Sequence, residues 1–88
     1  MKIKEGYMIR EVAGHHVVVP VGDAALDFNG MINLNETGAV LWKAMLEDAD
    51  EEKLVSALLA EYDVPEDIAK KDVEVFVKKM REANLIDG

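Results

Sequence analysis

Few side chains of this 88-residue sequence could support catalysis, and their spacing argues against a catalytic site. His15 and His16 are adjacent in a segment typical of a strand, where neighbouring side chains point to opposite faces, so the two rings cannot bind one metal ion together. Ser56 is the only serine, and it falls within a predicted helix with no histidine expected nearby, which argues against a Ser-His-Asp triad. We therefore expect that the protein is not an enzyme and has no catalytic residue.

The acidic residues Asp48, Asp50, Glu51 and Glu52 are the best candidates for binding a cation. They lack the glycine and the terminal glutamate spacing of a calcium-binding loop, and they are better explained as the cap and first turn of a helix. No glycine-rich phosphate loop is recognisable. The sequence also has no cysteine, which excludes thiolate metal sites and is typical of a reducing compartment. We expect no metal, no cofactor and a cytoplasmic location.

The distribution of charge argues against a nucleic-acid partner. The sequence has 18 Asp and Glu against 10 Lys and Arg, a net charge of −8, and residues 36–67 hold ten of the acidic side chains and only two basic ones. A DNA-binding domain gathers Lys and Arg on the face that meets phosphate. The acidic middle is either a solvated surface that maintains solubility or a surface that docks on an enzyme.

Nothing in the sequence predicts a membrane protein or an exported one. The longest apolar run, Val17 to Val21, is far shorter than the ~20 residues that span a bilayer. The first residues lack the apolar core of a signal peptide. The length fits one small domain, which we expect to cover residues 1–88.

Strand signals come first in the sequence and helix signals follow, with the change at Asn35. Three strands are predicted, over about 7–12, 15–21 and 31–34. The turns between them are predicted at Ala13-Gly14 and at Asn29-Gly30. Three helices are predicted, over about 36–46, 51–62 and 66–83, the first two capped by Asn35 and Asp50. The sequence therefore predicts an α+β fold in which a three-stranded antiparallel sheet precedes three helices.

The third predicted helix carries two apolar strips when it is drawn at about 100° per residue. The core face is predicted to hold Ala69, Asp72, Val73, Phe76, Met80 and Ala83. Trp42, Phe76 and Met80 should be the main large side chains beneath the sheet. A second strip, on the flank nearer Asp72, contains Ile68, Val75, Lys79 and Glu82. Its β-branched residues either line a groove or are scattered surface apolar side chains.

The segment from Phe28 to Trp42 resembles the PqqD family, and the resemblance extends over nearly the whole sequence. Its most specific part is Leu34-Asn35-Glu36-Thr37-Gly38-Ala39 followed by Trp42, and Asp72 and Phe76 lie at the family's distance downstream. PqqD is the small peptide chaperone of pyrroloquinoline quinone biosynthesis. It also gives its name to the recognition elements of ribosomally made, post-translationally modified peptides. The resemblance does not say which of these pathways the protein serves.

The resemblance implies a winged helix-turn-helix-like fold and a binding function without catalysis. In such proteins the leader segment of a precursor peptide adds as an extra strand to the third strand and lies in the groove beside the third helix. Backbone hydrogen bonds then give affinity, and pockets for alternate side chains give specificity. The resemblance also implies a modifying partner, usually a radical S-adenosylmethionine enzyme.

Carried over by position, the peptide-binding residues lie on the third strand and on the second strip of the third helix. They are Met31, Ile32, Asn33, Leu34, Ile68, Lys71, Asp72, Val75 and Lys79. Lys71 and Lys79 at the margins would meet acidic residues of the leader. The same apolar strip could instead hold two copies together, so the expected state is a monomer or a weak homodimer.

A DNA-binding winged helix is the alternative function, because one fold class can serve different functions. It is favoured by the basic residues of the last helix, Lys70, Lys71, Lys78, Lys79 and Arg81. Against it, these residues are interleaved with carboxylates around the helix, and the net charge is −8.

Overall fold

The computed structural model describes residues 1–22 and 32–87. Its elements are β1 (Lys2–Ile3), β2 (Tyr7–Val12), β3 (His15–Pro20), β4 (Ile32–Leu34), α1 (Glu36–Ala44), α2 (Glu51–Glu61), α3 (Glu66–Glu82) and β5 (Ile86–Asp87). Strands β2, β3 and β4 form an antiparallel sheet in that order, and β1 pairs with β5. The predicted α+β fold, a three-stranded antiparallel sheet followed by three helices, is confirmed. The turn predicted at Asn29-Gly30 lies outside the described residues.

The β2–β3 hairpin closes through a two-residue turn at the predicted place. Val12 pairs with His15, and the residues between them, Ala13 and Gly14, have φ angles of 51° and 81°. Positive φ at both central positions matches the right-handed twist of the flanking strands. The turn therefore fixes the register of the hairpin.

Side chains cap the first two helices as their sequence positions predicted. Asn35 Oδ1 accepts a hydrogen bond from the Gly38 backbone N–H at 2.8 Å and one from Thr37 Oγ1 at 2.9 Å. At α2, Asp50 Oδ1 accepts from the Lys53 backbone N–H at 2.9 Å. Each cap satisfies a backbone donor that has no partner within its helix.

Helix α3 ends in a left-handed residue, Asn84, with a φ of 60°. The Leu85 N–H then bonds to the Met80 carbonyl oxygen at 2.9 Å, and the Asn84 N–H bonds to that of Arg81 at 3.0 Å. This pair of bonds is the Schellman arrangement, which turns the chain sharply. The turn sends the following residues back along the domain into β5.

The core lies between the helices and one face of the sheet. Trp42 and Met80 are fully buried, and Phe76 is 6% exposed. All three belong to one cluster of buried side chains, as predicted. None of the helices in the described ranges is long and apolar enough to cross a membrane.

The pairing of β1 with β5 was not predicted from the sequence, because strands of two residues leave too short a pattern. The Ile3 N–H also bonds to the Met45 carbonyl oxygen at 2.9 Å, which ties β1 to the end of α1. The Met1 ammonium donates to Asp48 Oδ1 at 2.8 Å. This hydrogen bond lowers the pKa of the Asp48 carboxyl below its usual value.

The prediction that Asp72 belongs to the core face is wrong, because the residue is exposed. The buried positions of α3 are Ala69, Val73, Phe76, Val77 and Met80. Asp72 lies at the edge of that face, and an ionised carboxylate there turns to water because burial without a partner is costly. The correction moves Asp72 to the surface beside the flank that contains Val75 and Lys79.

Candidate functional site

The free edge of β4 is the first component of the candidate site. Strand β4 pairs with β3 on one side, and no described strand lies on its other side. Lys79 Nζ, from α3, donates to the Asn33 carbonyl oxygen at 3.1 Å, so this oxygen lies on the open side. In an antiparallel pair the N–H and C=O of one residue point the same way, so Asn33 directs both groups to the open edge.

A groove of about 340 Å³ lies between β4, the first part of α1 and α3. Strand β4 and helix α1 contribute Asn33, Leu34, Thr37, Gly38 and Leu41 to its lining. Helix α3 contributes Asp72, Val75, Phe76 and Lys79. The floor is apolar because Leu34, Leu41 and Phe76 are buried there. The groove therefore places a free strand edge beside an apolar floor and a helix wall.

The wall of the groove combines exposed apolar surface with two opposite charges. Val75 is 62% exposed, so it adds accessible apolar surface to this wall. Asp72 and Lys79 are exposed on either side of it in the helix sequence. An extended segment lying here would meet hydrogen-bonding groups on one side and side-chain contacts on the other.

A close approach at Gly38 holds α1 against the end of β4. A Cβ atom at this position would lie 3.1 Å from Asn35 Oδ1 and 3.3 Å from the Leu34 Cβ. Both distances are shorter than ordinary van der Waals contacts, so a side chain would crowd the cap and the strand. Glycine therefore lets the first turn of α1 form one end of the groove.

The sequence of the chain matches the family described as Coenzyme PQQ synthesis protein D (PqqD) over residues 15–86. The chain belongs to the PqqD family. The resemblance seen in the sequence is thereby confirmed, and the match includes every element that lines the groove. No curated protein matches the chain.

Two solved structures share the fold of this PqqD-family chain. The first is described as "TbiB1 in Complex with the TbiA(beta) Leader Peptide", with a TM-score of 0.75 and 22% identity over 100% of this chain and 96% of that one. The second is described as "Lasso peptide synthetase B1 complexed with the leader peptide", with a TM-score of 0.70 and 17% identity over 96% of this chain and 93% of that one. At these identities the likeness establishes a common fold.

The structure brings five of the nine predicted site residues into the groove. Asn33, Leu34, Asp72, Val75 and Lys79 are among the lining residues.

Three of the other predicted site residues are described and do not line the groove. Ile68 and Lys71 are exposed on α3 outside the lining. Ile32 is partly buried and packs against the core. Met31 lies outside the described residues.

The sequence reasoning missed the contribution of Leu41, Phe76 and the first turn of α1 to the groove. Phe76 was predicted only as a core residue, and it is both buried and part of the groove floor. A signal for the first turn of α1 was available, since the cap residue Asn35 directly follows β4. A helix that begins one residue after an edge strand must lie beside the end of that edge.

A second cavity, of about 400 Å³, lies between α2 and α3. Its apolar lining comes from Val55, Leu59 and Val73. Four carboxylates surround it, from Glu51, Glu52, Glu66 and Glu74, and Lys70 Nζ lies 3.8 Å from Glu66 Oε1. Helix interiors satisfy their own backbone groups, so this cavity has no free edge for strand addition. Within residues 1–22 and 32–87, no group of three His, Cys, Asp or Glu could hold a metal ion.

Proposed function

We propose that the chain captures the leader segment of a ribosomally made precursor peptide by strand addition and presents it to a modifying enzyme, without catalysing a reaction itself. The observation that carries this proposal is the groove between the free edge of β4 and α3. Membership of the PqqD family and the leader peptides in the two similar structures support it.

Strand addition at β4 uses the backbone and side chains of the peptide in different ways. The Asn33 N–H and C=O groups pair with the peptide backbone, which gives affinity that tolerates sequence change. Alternate side chains of an extended peptide point to opposite faces, so every second one is directed to the apolar floor at Leu34, Leu41 and Phe76. The floor therefore selects peptides with spaced apolar residues.

The DNA-binding alternative is not supported. Lys70 pairs with Glu66 and Lys79 with a backbone carbonyl, and Lys71 and Lys78 are exposed on a helix that also carries exposed Asp72 and Glu74. With a net charge of −8, this arrangement offers no continuous positive surface to phosphate.

The partner enzyme we propose is a radical S-adenosylmethionine enzyme, the usual partner in the family that the sequence resembles. We also propose that the protein works in the cytoplasm as a monomer or a weak homodimer. The exposed Val75 and the free β4 edge are surfaces that a second copy would cover in the dimer.

Titration of the protein with two kinds of ligand tests the proposed function. Fluorescein-labelled leader segments of precursor peptides encoded in the same genome are titrated at moderate salt, and random-sequence duplex DNA is titrated separately. We expect saturable binding to at least one leader, here called the reference leader, and no saturable binding to DNA. Steeply salt-dependent DNA binding without leader binding would contradict the proposal.

Mass spectrometry of the reference leader tests the absence of catalysis. After incubation with the protein alone, the peptide should keep its mass. A changed mass would show that the chain itself modifies its ligand.

A further inference from the structure

The hydrogen bond between Lys79 and Asn33 occupies a group that strand addition needs. Strand β4 has three residues. The backbone N–H and C=O groups of its first and last residues, Ile32 and Leu34, point to β3, where these residues pair with Val18 and His16. The Asn33 carbonyl oxygen is therefore the acceptor of β4 that faces the groove. Lys79 Nζ already donates to it at 3.1 Å.

An incoming strand brings a second donor to this acceptor, because a carbonyl oxygen has two lone pairs. The peptide N–H and the Lys79 ammonium then meet at the Asn33 carbonyl oxygen, and the peptide takes part of the water away from the ammonium. A cation that loses part of its hydration raises the free energy of the complex unless an opposite charge compensates it. No described carboxylate forms an ion pair with Lys79, so a carboxylate of the peptide would be its first charged partner.

We propose that Lys79 determines specificity by selecting peptides that carry Asp or Glu beside the residue that pairs with Asn33. This inference rests on the proposed function, since it assigns a ligand class to the same groove. In the free protein the charge of Lys79 disfavours pairing of this edge with unwanted strands, as charged side chains commonly do at sheet edges. In the complex it binds the peptide carboxylate.

Asp72 gives the selection a direction along the groove. It lies seven residues before Lys79 in α3, which is about 10 Å along the helix axis. An extended peptide covers about 7 Å in two residues and about 13 Å in four, and side chains an even number of residues apart point to the same face. A carboxylate opposite Lys79 is therefore favoured, and a carboxylate two to four residues away on the same face, near Asp72, is disfavoured by like-charge repulsion.

Selection from a random peptide library tests this inference and does not require the natural leader. A display library of peptides of about 12 residues, long enough to cover the groove, is selected in parallel on four immobilised proteins. These are the wild type, Lys79→Gln, Lys78→Gln and Val75→Glu. Lys79→Gln keeps a donor near Asn33 but removes the charge, and Lys78→Gln is the matched control on an adjacent exposed residue.

We expect Asp and Glu to be enriched at one fixed position on the wild type and on Lys78→Gln, and to fall to the library frequency on Lys79→Gln. Equal acid enrichment on Lys79→Gln, or none on the wild type, would overturn the role of Lys79. If the Val75→Glu variant captures each enriched peptide as tightly as the wild type does, the groove does not bind peptides. That outcome would overturn the proposed function together with this inference.

A double-mutant cycle with one enriched peptide measures the size of the effect. The peptide and its Glu→Gln form are titrated against the wild type and Lys79→Gln by fluorescence anisotropy. The wild type should prefer the acidic form by about fivefold, the upper range for an exposed ion pair, and Lys79→Gln should prefer neither. The same preference in both proteins would overturn the inference, and circular dichroism melts check that both remain folded.

Discussion

The two outer strands of the three-stranded sheet differ in what lies beside them. The β2 edge, Tyr7–Val12, is twice as long as the β4 edge, Ile32–Leu34, and it carries Met8 and Val12 at 40% and 55% exposure. By length and exposed apolar surface, β2 offers more to an added strand. Among the described strands, only β4 forms one of the two cavities described above together with a helix, and neither of those cavities is lined by β2. Free backbone groups alone therefore do not make a selective peptide site; the helix wall and the apolar floor do.

The side chains at the two edges also have different contacts. At β4, Lys79 donates to the backbone oxygen of Asn33. At β2, the Arg10 guanidinium lies 3.9 Å from Met8 Sδ, a contact between side chains that involves no edge carbonyl. The edge we propose as the binding site is thus the one at which a lysine side chain donates to an outward-facing backbone carbonyl oxygen.

Removing the groove floor should have the largest effect. Phe76→Ala deletes a side chain that is 6% exposed and belongs to both the core and the groove. We expect a loss of about 3 to 5 kcal/mol in the free energy of unfolding, much of the stability of a small domain. Val75→Ala, at the exposed neighbouring position, should change it by only about 0.5 kcal/mol. Chemical denaturation measures both, and a native-like transition for Phe76→Ala would show that the floor is wrongly assigned.

Proline substitution at corresponding positions compares the two edges directly. Asn33 faces Val17 on β3 and directs its own backbone groups to the open edge, so the backbone groups of Val17 point the other way, to Arg10 on β2. The backbone groups of the next residue, Glu11, therefore point to the open edge of β2. Asn33→Pro removes the donor at the β4 edge and should raise the Kd for the reference leader about thirtyfold, about 2 kcal/mol. Ile32 is a poorer choice because it packs against the core.

Glu11→Pro is the matched control and should leave the Kd unchanged. Titration calorimetry measures both variants, with circular dichroism to establish that they are folded. A stronger effect at Glu11 than at Asn33 would place the peptide on β2.

Charge on the helix wall tests whether α3 selects the edge. Val75→Glu introduces a carboxylate into the groove and should raise the Kd about tenfold, about 1.4 kcal/mol, with little effect on the melting temperature. Ile68→Glu places the same charge on the same helix at a residue that is 46% exposed but outside the groove lining. Its effect should be smaller. Equal effects would mean that the peptide covers more of α3 than the groove does.

The sedimentation coefficient of the Val75→Glu variant tests the dimer. If two copies cover Val75, the wild type should dissociate when the reference leader is added, and the variant should be monomeric throughout. A dimer that persists in the variant would mean that the contact lies elsewhere.

Loss of a helix cap should have the smallest effect. Asn35→Ala and Asp50→Ala each remove a side chain that accepts a backbone N–H, so each should cost about 1 kcal/mol of stability. Only Asn35 borders the groove, so only its variant should also weaken leader binding. Thermal melts and titrations of the two variants check this, and matched losses of affinity would indicate a general effect of stability.

The sequence predicted the fold well because its signals are local. The Ala13-Gly14 turn and the caps at Asn35 and Asp50 each follow from a few neighbouring residues. The β1–β5 pair escaped prediction because it joins two short segments from opposite ends of the described chain. Pairing over such a distance depends on the packed core rather than on local pattern.

The candidate site was only partly predictable because a groove depends on how two elements face each other. The helical repeat placed Val75 and Lys79 together, and the structure shows both beside β4. The same repeat assigned Asp72 to the core, since it cannot tell the edge of a buried face from its centre. The bond between Lys79 and Asn33 links residues far apart in the sequence, and no local pattern indicates it.

Amide hydrogen exchange at the two edges tests most directly whether the peptide adds to β4. NMR exchange rates of the Asn33 and Glu11 amides are measured with and without a saturating concentration of the reference leader. A backbone hydrogen bond to an added strand protects the amide that makes it, so the Asn33 amide should exchange at least about tenfold more slowly in the complex. The Glu11 amide should keep its rate. Slower exchange at Glu11, or an unchanged rate at Asn33 when the leader is fully bound, would contradict strand addition at β4.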